Sequence, residues 1–178
     1  MERAALSDTA RHAAGRAGVT ADAGPWLRDA STDDAEALAT LLLRSRTGAM
    51  PWLVSPHDEA STRWWVEHVL IPGEQVRVAR EGGRIAGFAA VDGGWLTQLY
   101  VDTDHQGRGV GRALLEDAER RHPEGLRLHV FTRNTRARRF YEAAGFVLVG
   151  RSDGRGNEEQ EPDCTYAWAP APAGTVAP

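Results

Sequence analysis

Lysine is absent from this chain of 178 residues, because all 21 of its basic residues are arginine. A chain without lysine cannot form a lysine Schiff base, and it lacks the residue that a P-loop places on its phosphates. Both kinds of site are therefore excluded. The absence has no functional meaning of its own.

Cysteine, long apolar runs and excess positive charge are equally scarce. Cys164 is the only cysteine, which excludes an internal disulfide and a cysteine-rich metal site. No apolar run approaches the roughly 20 residues that span a bilayer, and the N-terminus has no apolar signal core. The net charge of -4 argues against nucleic acid. We therefore expect a cytoplasmic protein without a metal, a membrane or a nucleic-acid partner.

Large apolar side chains are concentrated in the middle of the chain. Residues 1–24 hold few of them and are predicted to be a disordered arm, since little there offsets the cost of ordering. Residues 170–178 are rich in alanine and proline and are predicted to be a flexible tail. The sequence thus predicts a single domain over residues 25–169.

The remaining segments alternate between helical and extended periodicity. The predicted order is β-α-α-β-β-β-α-β-α-β-β, with the second helix beginning near Pro56. Two glycine pairs, Gly82-Gly83 and Gly93-Gly94, are typical of tight hairpin turns and join three successive strands. This order predicts an α+β fold with a mixed, mainly antiparallel sheet and helices on its faces.

A glycine-rich loop separates the strand that ends near Val101 from the following helix. Its glycines are Gly107, Gly109 and Gly111, with Arg108 and Arg112 between and beside them. A strand, a glycine loop and a helix start leave unpaired N–H groups aimed at one point, which suits a phosphate. The spacing fits neither a dinucleotide fingerprint nor a P-loop. Taken alone, this pattern leaves a glycine-rich turn without a ligand equally open.

A second block lies 23 residues further on, from Asn134 to Phe146. Asn134 is placed to cap a short helix, and Gly145 is placed to end it. The adjacent rings of Phe140 and Tyr141 face different ways on that helix, so one ring can pack while the other projects into a cleft.

Together the two blocks resemble the GCN5-related N-acetyltransferase (GNAT) superfamily. Gln106-x-x-Gly109-x-Gly111 matches the Q/R-x-x-G-x-G/A acetyl-CoA motif of that superfamily. The second block matches its N-x-x-A-x-x-F-Y-x-x-x-G-F pattern, in the same order and at a similar separation. The resemblance implies a sheet of about seven strands splayed into a V and flanked by about four helices.

The resemblance also implies a donor site for acetyl-CoA, without a metal. Main-chain amides from Gln106 to Gly111 would hold the diphosphate, and the edge of Leu99 and Val101 would pair with the pantetheine amides. The Val101 N–H would stabilise the oxyanion. Tyr141 would either protonate the leaving thiolate or be a buried packing tyrosine. The residues expected at the donor site are Leu99, Tyr100, Val101, Gln106, Gly107, Arg108, Gly109, Val110, Gly111, Arg112, Asn134, Ala137, Arg138 and Tyr141.

The general base cannot be chosen from the sequence. The candidates are His57, Asp58, Glu59, Asp92, His129, Glu158, Glu159, Glu161 and Asp163. Four of these carboxylates lie in one loop before the last strand and would attract a cationic amine, or would simply be solvated. Trp52, Trp64 and Trp65 would line the acceptor pocket or belong to the core.

The expected acceptor is the primary amine of a small molecule, such as an amino acid derivative, a polyamine or an aminoglycoside. Protein N-terminal acetylation of the ribosomal-protein type is an alternative, and so is a non-catalytic acyl-CoA-binding regulator. The proton donor expected at Tyr141 argues against a regulator, which has no need of one. The resemblance also allows a homodimer, for which the sequence identifies no interface.

Overall fold

The computed structural model describes residues 26–53 and 57–170. The predicted arm at 1–24, the predicted helix start near Pro56 and all but the first residue of the predicted tail lie outside these ranges. The described residues fold around one seven-stranded sheet. Its strands are β1 (Trp26–Asp29), β2 (Gln75–Glu81), β3 (Arg84–Asp92), β4 (Trp95–Val101), β5 (Leu126–Phe131), β6 (Val147–Ser152) and β7 (Asp163–Trp168).

The strand order across the sheet is β1-β2-β3-β4-β5-β7-β6. Every neighbouring pair is antiparallel except β4 and β5, which run parallel. The prediction of a mixed, mainly antiparallel sheet is therefore confirmed. Both predicted glycine pairs form the turns on either side of β3, and all four glycines have positive φ, which suits two-residue hairpin turns.

The sheet opens at its centre. β4 and β5 pair at one position, Trp95 opposite Arg127, where the Arg127 N–H also donates to the Gly94 carbonyl at 2.9 Å. Beyond that position the two strands separate, so each leaves an unpaired main-chain edge facing the other. The result is the expected V, with its apex near Trp95 and its mouth at the end of β4.

Four helical regions flank the sheet, as expected. They are α1 (Ala35–Ala49); α2 (Glu59–Trp65), continued by a π-helical turn (Val66–Leu70) and α3 (Ile71–Gly73); α4 (Val110–Arg121); and α5 (Thr135–Ala143). A 3₁₀ turn (Thr32–Asp34) precedes α1, with Ser31 and Asp34 in a capping box. Asp58 caps α2, since its carboxylate accepts from the Ser61 N–H at 2.8 Å.

Two apolar clusters hold these helices on the sheet. Leu114 and Leu115 of α4 are fully buried in one cluster, together with Tyr166 of β7. Leu38 of α1 and Phe88 of β3 are fully buried in the other. Because α4 packs on the strands that form the cleft, its N-terminus is held at the mouth of the V. Among the described residues, no helix is long and apolar enough to cross a membrane.

Candidate active site

The inner edge of β4 presents main-chain groups to the cleft. The Asp102 N–H donates to the Ala86 carbonyl of β3 at 2.9 Å. Hydrogen-bonding direction alternates along an antiparallel pair, so the N–H and C=O groups of Val101 and Leu99 turn away from β3. β5 has separated from β4 at this height. The groups of Leu99 and Val101 therefore face the cleft, where the sequence predicted an edge for a ligand.

Two side chains fix the position of Val101 within this edge. Its carbonyl accepts a hydrogen bond from the Ser45 hydroxyl of α1 at 2.8 Å, and a second from the Gln106 side-chain amide at 3.2 Å. The carbonyl is thus occupied by the protein itself. The N–H of Val101 is the group that this residue offers to a ligand.

The glycine loop forms the mouth of the cleft. Gly107 and Gly109 have φ of 77° and 85°, a conformation that residues with a Cβ rarely adopt. Gly109 caps α4 without a side-chain bond, and the first helical bond runs from the Ala113 N–H to the Gly109 carbonyl at 2.9 Å. The N–H groups of residues 110 to 112 consequently have no partner within the helix, which suits an anion.

Gly111 allows α4 to approach β4 and α5 closely. A Cβ added there would lie 3.3 Å from the Val101 Cγ2 and 3.7 Å from the Phe140 ring. The neighbouring Val110 side chain is 1% exposed and packs into the core, so Val110 faces the mouth through its backbone alone. The loop therefore needs glycine at 107 and 109 for the backbone conformation, and glycine at 111 because a side chain would clash with its neighbours.

Two cavities follow the V. The first, which we call the loop cleft, has a volume of about 380 Å³ and lies between β4, the glycine loop and α5. The second, the sheet chamber, has a volume of about 640 Å³ and lies between β4, β5 and the β6–β7 loop. The residues that line both are Met50, Leu99, Tyr100, Asn134, Ala137 and Tyr141. The two cavities therefore meet at the middle of the open sheet.

Tyr141 lies at this junction. It is 8% exposed, and its ring contacts those of Phe140 and Phe146 edge to face, with centroids 5.2 and 5.6 Å apart. Burial raises the pKa of the Tyr141 phenol far above its ordinary value, and the nearby phenol of Tyr100 adds to the shift. Tyr141 thus remains protonated at neutral pH and offers a hydrogen-bond donor at the junction.

Asn134 and Ala137 form the start of α5 beside Tyr141. The Asn134 side-chain oxygen accepts from the Ala137 N–H at 3.1 Å, which confirms the predicted cap. Since its oxygen is engaged in the cap, the Asn134 amide nitrogen is the group that this side chain offers to the cavities.

The structure separates the predicted arginines. Arg112 lines the loop cleft, with its Nε 2.8 Å from Glu116. Arg108 instead lies 3.4 Å from Glu81 at the surface. The Arg138 side chain does not line either cavity: its Nε donates to the Tyr166 hydroxyl at 3.1 Å and its Nη1 to the Thr132 carbonyl at 3.3 Å.

Arg136 occupies the place expected for Arg138. It lines the loop cleft, although it is not among the residues that the sequence predicted at the donor site. Its signal was the helical spacing, because Arg136 lies four residues before Phe140 and shares the face of α5 that borders the cleft. We therefore replace Arg138 by Arg136 among the proposed phosphate contacts.

Three of the candidate bases line the sheet chamber: His129, Glu159 and Asp163. The Glu159 carboxylate is paired with Arg46 of α1. One oxygen of Asp163 accepts from the Asn157 side chain at 2.9 Å. The other candidates lie outside the chamber in the described structure; they are His57, Asp58, Glu59, Asp92, Glu158 and Glu161.

Of the three tryptophans expected near an acceptor, Trp52 alone contacts the chamber wall. Its ring meets that of Phe131 edge to face at 6.0 Å, and the Arg133 guanidinium lies 4.3 Å above it. Trp64 is 58% exposed and stacks on His68, while Trp65 packs beside the α1 cluster. Of the three tryptophans, only Trp52 is therefore placed to contribute to an acceptor pocket.

The open edge of β4 lies between a helix start suited to an anion and a buried, protonated phenol, which is the arrangement expected of an acetyl-CoA-dependent acyltransferase. Residues 72–148 match the family described as the acetyltransferase (GNAT) domain. The chain therefore carries a GNAT acetyltransferase domain and is an N-acetyltransferase.

Several known proteins are similar to this chain. The peptidyl-lysine N-acetyltransferase YiaC of Escherichia coli is 29% identical over 130 residues, which cover 69% of this chain and 84% of that protein. The peptidyl-lysine N-acetyltransferase YjaB of Salmonella typhimurium is 39% identical over 67 residues, which cover 38% of this chain and 46% of that protein. The solution structure of apo YjaB from Escherichia coli superposes with a TM-score of 0.68 at 28% identity, covering 83% of this chain and 99% of that one.

Proposed function

We propose that this enzyme transfers the acetyl group of acetyl-CoA to the primary amine of a small molecule. The observation that carries the proposal is the meeting of the loop cleft and the sheet chamber at Tyr141. A donor that enters through one cavity and an acceptor that enters through the other would meet there, beside the exposed edge of β4.

The loop cleft suits the donor. Its mouth combines the free N–H groups at the start of α4 with Arg112 and Arg136, a charge pattern that fits a diphosphate. Further in, the edge of Leu99 and Val101 would pair with the pantetheine amides as an added strand. Asn134 would contact the same arm from α5.

The N–H of Val101 suits the oxyanion that forms when an amine attacks the thioester carbonyl. Ser45 and Gln106 hold the Val101 carbonyl, so the orientation of this residue is set before any ligand binds. A donor that needs no reorganisation during the reaction stabilises the transition state most effectively.

Tyr141 suits the departing thiolate. Its raised pKa keeps the hydroxyl protonated, so it donates a hydrogen bond to the sulfur as the carbon–sulfur bond breaks. Because that pKa lies well above the 8.5 typical of a thiol, complete proton transfer to sulfur is unfavourable. Tyr141 therefore acts mainly by stabilising negative charge on sulfur.

The sheet chamber suits a slender cationic amine. Glu159 and Asp163 provide negative charge along its wall, which favours an ammonium group. On one side the two arms of the V are joined by the pair of Arg46 with Glu159, and by Trp52 on Phe131. These contacts leave less room for an extended peptide than for a small amine.

A protein amine is the second candidate acceptor, and the names of YiaC and YjaB favour it. A lysyl side chain is itself a slender primary amine and would fit the same chamber. The alternative of N-terminal acetylation would require the chamber to accept the peptide backbone as well.

An acceptor panel tests the proposal. Release of the CoA thiol would be followed with polyamines, aminoglycosides and amino acid amides, and in parallel with lysine-containing and free N-terminal peptides. We expect turnover with at least one small amine and a lower kcat/KM with every peptide. Turnover with peptides alone would refute the small-molecule acceptor, and CoA binding without turnover on any amine would refute the transfer itself.

A further inference from the structure

We propose that His129, positioned by Asp163, is the general base that takes the proton from the acceptor ammonium. This inference rests on the acetyl transfer proposed above and adds the group that the sequence leaves undetermined. It depends on where His129 lies in the sheet, how its ring is oriented and what surrounds the Asp163 carboxylate.

His129 lies close to the point where the sheet opens. It follows Arg127, the residue of β5 that pairs with Trp95 of β4, by two positions on the same face of the strand. Its imidazole stacks on the Trp95 indole, with centroids 4.8 Å apart and planes inclined by 17°. The ring is therefore held against the apex of the V, as part of the chamber wall.

One nitrogen of the ring is turned toward β7. The His129 Nδ1 lies 3.3 Å from the Thr165 hydroxyl and 3.7 Å from the Asp163 Oδ1. Both partners contact the same nitrogen from the same strand, so neither of them engages Nε2, and His129 itself lines the chamber. The Thr165 hydroxyl holds Nδ1 by a hydrogen bond, and the Asp163 carboxylate lies just beyond hydrogen-bond distance, where it favours positive charge on the ring.

The Asp163 carboxylate has one oxygen available for a positively charged neighbour. The residue is 8% exposed, its Oδ2 is held by Asn157, and its buried Oδ1 has no hydrogen-bond partner within the described structure. A buried carboxylate oxygen without a partner is costly. Protonation of His129 supplies that partner, so Asp163 stabilises the imidazolium that forms when His129 takes a proton.

The other charged groups around the chamber fit this role less well. Glu159 is engaged by Arg46, and Tyr100 is a phenol whose pKa burial raises. Two arginines bring positive charge close to His129. The guanidinium of Arg127 lies 5.9 Å from the centroid of the Trp95 ring, and Arg151 of β6 lines the chamber. Asp163 thus offsets nearby positive charge as well as orienting the ring.

The transfer removes two protons from the acceptor ammonium and adds one to the CoA thiolate. The acceptor enters as an ammonium, and His129 takes one proton through a chain of water molecules in the chamber, because it is level with Thr97 and lies roughly 13 Å from Val101 along the strand. The free amine nitrogen then forms the bond to the carbonyl carbon, and the carbon–sulfur bond breaks. The second nitrogen proton passes to water as the amide forms. CoA leaves as a thiolate that accepts a hydrogen bond from Tyr141, and it takes one proton from water after release. His129 returns its proton to solvent.

Two variants and one rescue test the inference on the full-length chain, with the best amine from the acceptor panel. We expect His129→Gln to lower kcat/KM for the amine by about 100-fold or more at pH 7.5, the scale of general base catalysis. Its affinity for CoA, measured by calorimetry, should stay within about twofold, since His129 lies outside the loop cleft. His129→Ala should regain activity when imidazole is added.

The pH profile separates a positioning role of Asp163 from a structural one. The loss of kcat/KM in His129→Gln should shrink at high pH, because a growing share of the acceptor then enters as the free amine and needs no base. Asp163→Asn should show a smaller loss with the same dependence on pH, and the double variant should lose no more than His129→Gln alone, because Asp163 acts through His129. His68→Gln, on exposed α2–α3 surface, is the matched histidine control and should leave the profile unchanged.

The inference is overturned if His129→Gln keeps more than a third of the wild-type kcat/KM, or if it lowers activity equally at every pH. It is also overturned if Glu159→Gln, rather than His129→Gln, shows the loss of kcat/KM that shrinks at high pH. A wild-type enzyme that acetylates no amine would refute the proposed function instead, which keeps the two failures distinct.

Discussion

Replacing Tyr141 by phenylalanine removes one hydroxyl from the junction of the two cavities and keeps the ring. The edge-to-face contacts with Phe140 and Phe146 are made by that ring, so the packing of α5 should survive. We expect kcat to fall while the affinity for CoA changes little, because the hydroxyl is needed when negative charge develops on sulfur.

The expected size of the loss follows from the state of the phenol. A hydrogen bond to a charged partner contributes about 1.5–3 kcal/mol, which corresponds to a loss of about 10- to 150-fold in kcat. Burial raises the pKa of Tyr141 far above that of a thiol, so the hydrogen bond accounts for most of the effect. The loss should therefore stay below the roughly 10⁴-fold upper end of general acid catalysis.

Steady-state thiol release and calorimetry with CoA measure the two quantities separately. Tyr166→Phe is the matched control, since Tyr166 is fully buried, lines neither cavity and bonds through its hydroxyl to Glu142 and Arg138. That variant should lose stability and keep kcat. The reasoning is refuted if Tyr141→Phe retains kcat within twofold, or if its CoA affinity falls by more than its kcat.

Three further predictions concern the loop, the arginines and the start of α1. Gly111→Val should weaken CoA binding more than tenfold and cost about 1–3 kcal/mol of stability, because the new side chain forces α4 away from Val101. Gly73→Ala is the control, since its Cβ would lie in open space, and it should change neither quantity. Thermal unfolding with and without CoA measures both quantities. Arg136→Ala should weaken CoA binding more at low salt than at high salt, and an equal effect from Arg138→Ala would contradict the assignment. Arg28 lowers the pKa of Asp34, so the stability from that pair is present above about pH 4 and is lost as the pH falls through the lowered pKa of the folded state. Asp34→Asn should therefore be less stable than the wild type in urea at pH 7, and the difference should shrink below about pH 3.

The order of elements was predictable because local signals determine it. The glycine pairs at the ends of β3 specify hairpin turns through backbone conformation alone, and Asn134 specifies the start of α5 through its own side chain. The glycine loop was predictable for the same reason. The open sheet came from the family resemblance, since no local pattern indicates that β4 and β5 part after Trp95.

Side-chain directions were not predictable, because they depend on strands and helices that are distant in sequence. Arg136 and Arg138 are two residues apart, yet only the first reaches the cleft, since Tyr166 of β7 binds the second. Between Glu158 and Asp163 the sequence offers four carboxylates on equal terms, of which Asp163 begins β7 and the other three lie in the loop before it. Glu159 and Asp163 enter the chamber because Arg46 and Asn157 hold them there.

The proposed pairing of the donor with the exposed edge of β4 has a consequence for how this enzyme tolerates substitutions. The peptide groups at Leu99 and Val101 are present whatever side chains those positions carry, so substitutions there alter the shape of the wall while leaving the pairing groups in place. Substitutions at Leu99 and Val101 should therefore leave the main-chain pairing with the donor in place. The side chains that line the sheet chamber can change for a different amine without loss of that pairing.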